Sequence, residues 1–77
     1  MKLKQIGSNQ TQLTLDDGTE VFFSYETPVA CKLNYDYFRT DKKWSQTTSR
    51  HVNKWLDGVN ALHKPQSFFD ALVLGAK

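Results

Sequence analysis

The stretch QLTLDDGTEVFFSY, residues 12–25, reads as two strands around a turn, and the length of that turn decides which side chains share a face. A two-residue Asp17-Gly18 turn sets Leu13 opposite Phe22 and Thr14 opposite Val21, which separates Leu13 and Leu15 from Val21 and Phe23. A three-residue Asp16-Asp17-Gly18 loop sets Leu13 opposite Val21 and Thr11 opposite Phe23, and gathers Leu13, Leu15, Val21, Phe23 and Tyr25 on one buried face. It also uses Gly18 at the left-handed position such a loop requires. The three-residue loop is the expected register.

Outward from this hairpin the pattern stays β until Ser45. Pro28 suits the first position of a third strand, in which Val29, Cys31 and Leu33 point one way and Ala30 and Lys32 the other, so Cys31 reads as core. Asn34, Tyr35 and Asp36 form a turn into a fourth strand around Tyr37 to Thr40 that is expected to run on past Asp41 through Trp44. Met1 to Ile6 adds an edge strand, whose free edge is a place where a second copy can pair to make a homodimer.

After Ser45 the period changes from two to about 3.6. Val52, Trp55, Leu56 and Val59 stand at i, i+3, i+4 and i+7, Thr47 or Thr48 can cap the helix start, and Gly58 can end it. A second helix is expected over residues 65–74, with Pro65 in its first turn and Phe68, Phe69, Leu72 and Val73 on its apolar side. Residues 60–66 read as a linker. The expectation is an α+β fold in a single domain, 1–77: residues 1–45 mainly an antiparallel β-meander of three to five strands, followed by two short helices, 46–59 and 65–74, packed on one face.

With 77 residues there is room for one core, and the stability expected of it is about 4–12 kcal/mol. The lone cysteine, Cys31, excludes an internal disulfide, and neither a membrane-length apolar run nor a signal-peptide pattern is visible, so the expected setting is intracellular and soluble. Net charge is +2, but it is unevenly spread: residues 37–77 carry seven basic and three acidic side chains, while residues 1–36 carry more acid than base.

The basic half is concentrated in YFRTDKKWSQTTSRHVNKWL, residues 37–56. Arg39, Lys42, Lys43, Arg50 and Lys54, with the hydroxyls of Ser45, Thr47, Thr48 and Ser49 at a helix start and the ring of Trp44 beside them, have the composition of a surface for phosphates and bases. The same residues also fit a plainer account, in which Arg50 and Lys54 are the solvated face of an amphipathic helix whose other face carries Val52 and Leu56. Tyr37 and Phe38, being neighbours on a strand, cannot both be buried by one layer. The site residues that follow are Arg39, Lys42, Lys43, Trp44, Thr48, Arg50 and Lys54, binding either a nucleic acid or a protein.

Catalytic signals are weak. His51 and His63 match no metal-ligand spacing, no glycine-rich phosphate loop is present, and a Cys31–His51 nucleophile pair competes with the core reading of Cys31. The expectation is a protein that is not an enzyme and needs no cofactor.

The segments FSYETPVA (23–30), YFRTDKKWSQTTSRHVNKWL (37–56) and KPQSFF (64–69) together resemble a group of small uncharacterised proteins encoded by bacteriophages and prophages. The likeness spans nearly the whole chain and brings no catalytic or ligand residues with it. It implies a phage accessory protein acting in the cytoplasm of a bacterial host by binding. That context adds a second class of partner, a host protein or defence complex inhibited in the manner of an anti-CRISPR.

Overall fold

The computed structural model describes residues 2–75. They form an α+β fold in which six strands lie in one sheet in chain order: β1 (Lys2–Gly7), β2 (Gln10–Thr14), β3 (Glu20–Ser24), β4 (Thr27–Leu33), β5 (Asp36–Thr40) and β6 (Leu62–Lys64). Helix α1 (Gln46–Leu56) separates β5 from β6, and α2 (Gln66–Gly75) follows β6. Pairing is antiparallel from β1 to β5, and β6 runs parallel to β5. Met1, the first residue of the expected edge strand, lies outside the described residues.

The hairpin register follows the three-residue loop. Leu13 pairs with Val21 and Thr11 with Phe23. Leu15 N–H donates to Thr19 O at 2.8 Å, Gly18 N–H donates to Leu15 O at 3.0 Å, and Gly18 has φ +92°. Asp17 Oδ1 accepts the Thr19 N–H at 2.9 Å, which, with the Thr19 side chain, holds the exposed Asp17 carboxyl below the usual carboxylate range. Tyr25 departs from its expected place on the buried face: it sits in the β3–β4 turn with φ +58° and is half exposed.

The two helices do not share a face. Val52 and Leu56 of α1 pack with Phe22, Val29 and Ala30, while Phe69 of α2 packs with Leu13, Val21 and Cys31. Val29 joins Ala30 rather than Cys31, against the expected alternation, because the register shifts by one residue between Phe22–Ala30 and Phe23–Pro28 and leaves Val29 in a bulge. Successive strand residues point to opposite sides, so the neighbours Val21 and Phe22, like Ala30 and Cys31, require cover on both sides of the sheet. The result is three layers, α1 on one side and α2 on the other. Phe22, Val29, Ala30, Cys31, Val21 and Phe69 are all fully buried.

Further corrections concern boundaries. The sheet has a sixth strand, which takes up residues 62–64 of the expected linker. The strand through Tyr37 stops at Thr40 rather than reaching Trp44: β6 ends opposite it at Lys64, whose O accepts the Asp41 N–H at 2.9 Å, and Thr40 Oγ1 then accepts the Lys42 N–H at 3.2 Å in a turn. Ser45 caps α1 in place of Thr47 or Thr48: its extended backbone leaves Oγ free to accept the Thr48 N–H. The helix ends at Leu56, three residues early, because Asp57 and Gly58 both adopt left-handed conformations, and Val59 is left exposed.

Candidate functional site

Cross-strand partners lie on the same side of a sheet, so the register assigns sides to the charged residues. One row runs Lys4, Gln12, Phe22, Ala30, Arg39, and Phe22 and Ala30 lie beneath α1. The next row runs Lys2, Thr14, Glu20, Lys32, Tyr37 on that same side. The α1 side of the molecule therefore gathers Lys2, Lys4, Lys32 and Arg39 from three strands with Arg50 and Lys54 from the outward face of the helix. Glu20, which accepts from Gln12 Nε2 at 2.9 Å, and Asp57 offset part of that charge.

The expected residues fall into four groups. Arg50 and Lys54 are exposed, as the helical spacing requires when Thr48, Val52 and Leu56 face inward. Arg39 is half-buried and donates through Nη1 to Asn53 Oδ1 at 3.1 Å, fixing the guanidinium beside α1. Lys42, Lys43 and Trp44 lie together in the β5–α1 connection, where Lys42 Nζ stands 4.2 Å from the centroid of the Trp44 ring. Thr48 is buried: its Oγ1 accepts from Ser24 Oγ at 3.2 Å and from Ser45 Oγ at 3.3 Å, so this hydroxyl mainly ties α1 to β3.

Lys43, Trp44, Ser45 and Thr48 line one wall of a cleft of about 400 Å³, and Ser24, Tyr25, Thr27 and Val29 line the other. Trp44 is held there by Gln66. The Gln66 Oε1 accepts from Thr40 Oγ1 at 2.8 Å and from Trp44 Nε1 at 3.2 Å; its Nε2 donates to Pro28 O at 2.7 Å and to Asp70 Oδ1 at 3.1 Å. This single amide uses both lone pairs and both protons to join the connection, β4 and α2.

Ser24 and His51 make the closest approach to catalytic geometry, with Oγ and Nδ1 2.8 Å apart. Ser24 is nevertheless 2 % exposed and also bonds Thr48. A serine has one proton; when it donates to Thr48, His51 must carry its own on Nδ1. The pair acts as a polar strut between sheet and helix. The Cys31–His51 pairing is excluded by side: Cys31 packs with Phe69 beneath α2, while His51 lies with α1. Burial also pushes the Cys31 thiol up to about 11, which makes the thiolate scarce. Among the described residues, no three of His, Cys, Asp and Glu gather closely enough to hold a metal ion, and no helix is long and apolar enough to cross a membrane.

Sequence reasoning did not single out Lys2, Lys4 and Lys32, although the hairpin register carries their placement once extended across the sheet. Tyr25, Asn53 and Gln66 gave no such signal, since their roles depend on how distant elements dock.

A model of a family of unknown function, DUF8033, matches residues 1–71, and the chain belongs to that family. No curated protein and no solved structure matches the chain.

Proposed function

We propose that the protein is a non-enzymatic binding protein, of the accessory kind that phages supply to the cytoplasm of a bacterial host, and that it contacts nucleic acid through the α1 side. The observation that carries this reading is the collection of Lys2, Lys4, Lys32, Arg39, Arg50 and Lys54 on one side of the sheet, drawn from parts of the chain as much as 52 positions apart. Phosphates spaced along a strand offer matching charge, and contacts from Lys and Arg supply salt-sensitive affinity without base specificity. Ser24 and Cys31 being buried away from solvent supports binding over nucleophilic catalysis.

A second reading has its own observation. Tyr35 is 94 % exposed at the β4–β5 turn and lines a hollow with Asp17, Glu20 and Lys32. An exposed tyrosine beside carboxylates is a suitable anchor for a basic patch on a host protein, as an inhibitor of a defence complex would need. Self-association through β1 is disfavoured by Lys2 and Lys4, which place like charges along the free edge.

A pull-down from bacterial lysate with and without nuclease separates the readings. Loss of all partners on nuclease treatment supports nucleic-acid binding; one stoichiometric protein retained after nuclease, and lost on Tyr35→Ala, supports the inhibitor.

A further inference from the structure

We infer that the cleft between the β3–β4 turn and the β5–α1 connection receives one unpaired base of a single-stranded nucleic acid. The inference rests on the nucleic-acid reading and adds to it a strand preference and a stacking site. At about 400 Å³ the cleft lies within the range of small-ligand sites. Two large aromatic rings line it and both remain accessible, Tyr25 at 51 % and Trp44 at 39 %.

Neither ring is loose. Trp44 has its indole N–H bound to Gln66 and one face covered by the Lys42 ammonium. The backbone N–H of Tyr25 donates to Asn9 O at 2.7 Å, and its ring stands 5.9 Å from the ring of His51. Rings already immobilised lose little freedom when a base stacks on them.

Tyr25 carries a second mark. Its φ of +58° is a conformation that glycine or asparagine adopts with ease and a bulky side chain resists. Asn9, Asn34, Asp57, Gly18 and Gly58 occupy the other turn and cap positions of this kind, short polar side chains or glycine as expected on steric grounds. A tyrosine here costs stability that its half-exposed ring does not recover by burial, so the ring has a use outside the fold.

Charge selects the occupant. Lys43 lines the cleft and Lys42 stands at its Trp44 wall, so an aromatic ligand carrying phosphates fits better than an apolar side chain. In a duplex the base faces are stacked on each other and closed to a third ring. A single strand can turn a base into the cleft while its backbone follows the lysines.

The test compares fluorescence anisotropy of a labelled oligothymidylate of about 12 nucleotides with that of a duplex of equal length, for wild type, Tyr25→Gly, Trp44→Ala and the Arg50→Ala/Lys54→Ala double variant. Tyr25→Gly removes the ring and relieves the backbone, so its Tm should equal or exceed that of wild type. The expected result is single-strand affinity above duplex affinity in wild type, and a loss of about fivefold or more for the single strand in Tyr25→Gly, with the salt slope and duplex affinity unchanged. If Tyr25→Gly and Trp44→Ala both keep single-strand affinity within about twofold while the charge variant loses it, the cleft inference fails and the basic-surface reading stands. If wild type binds neither oligonucleotide, both fail.

Discussion

Tyr37 and Phe38 are neighbours in the chain whose rings lie against different helices: Tyr37 meets Trp55 of α1 edge-on at 6.1 Å, and Phe38 meets Phe68 of α2 at 5.6 Å. The sheet is thus the shared wall of two cores, and damage to one should be felt weakly by the other. Val52→Ala and Phe69→Leu, each made in a different core, should destabilise by about 1–3 kcal/mol apiece, and the double variant by their sum within about 0.5 kcal/mol. Urea denaturation of the four proteins measures this. A coupling well above that figure would show one continuous core instead.

Gly18→Val tests the hairpin. A Cβ at Gly18 has nothing within 4 Å, so the cost is backbone strain at φ +92° and not a clash. Destabilisation should be about 1 kcal/mol or more, with Gly18→Asn costing less because asparagine tolerates the left-handed region. An unchanged Tm for Gly18→Val contradicts the register.

Cys31 gives a pH prediction. Its folded pKa is raised from the ordinary thiol value to about 11, so the neutral thiol favours the fold fully below about pH 9, and that contribution is lost as pH rises toward 11. In that window stability should fall more steeply for wild type than for Cys31→Ala, by at most about 1.4 kcal/mol per pH unit. Equal slopes would mean the thiol titrates normally and is not buried.

The extent to which this architecture was legible differs from element to element. The β2–β3 register could be read because two demands, shared apolar faces and a left-handed glycine, converge on one loop length. The second layer of helix was also present in the sequence, in the consecutive apolar pairs Val21-Phe22 and Ala30-Cys31 and in the Tyr37-Phe38 dilemma, but a one-sided sheet satisfies the alternation of Leu13, Val21 and Phe23 equally well. Strand β6 escaped because Leu62-His63-Lys64 is too short to show a period, and its parallel partner is supplied by tertiary structure. At the site, Arg50 and Lys54 were legible from helical spacing. Tyr25, Gln66 and the Ser24–His51 strut were not, because partners such as Pro28, 38 positions from Gln66, and His51, 27 positions from Ser24, leave no local pattern.

Gln66→Leu should test how the cleft wall is held. The change keeps the volume but leaves Pro28 O without this donor and frees the Trp44 indole. The expected cost is about 1–3 kcal/mol, together with faster exchange of the Trp44 Nε1 proton in NMR spectra. Unaltered exchange would show that the indole is positioned by something other than Gln66.

The most direct test of the central claim is the salt dependence of nucleic-acid affinity for wild type and for Arg50→Ala/Lys54→Ala, read by fluorescence anisotropy. Both side chains project from the exposed face of α1, opposite Val52 and Leu56, so the double variant should melt at nearly the wild-type temperature. Its affinity should fall, and the slope of log K against log salt should flatten by about 0.9 for each lost phosphate contact on duplex DNA or about 0.7 on a single strand. Identical affinity and slope in the two proteins, or no binding by wild type at low salt to DNA or RNA in any form, would contradict the account.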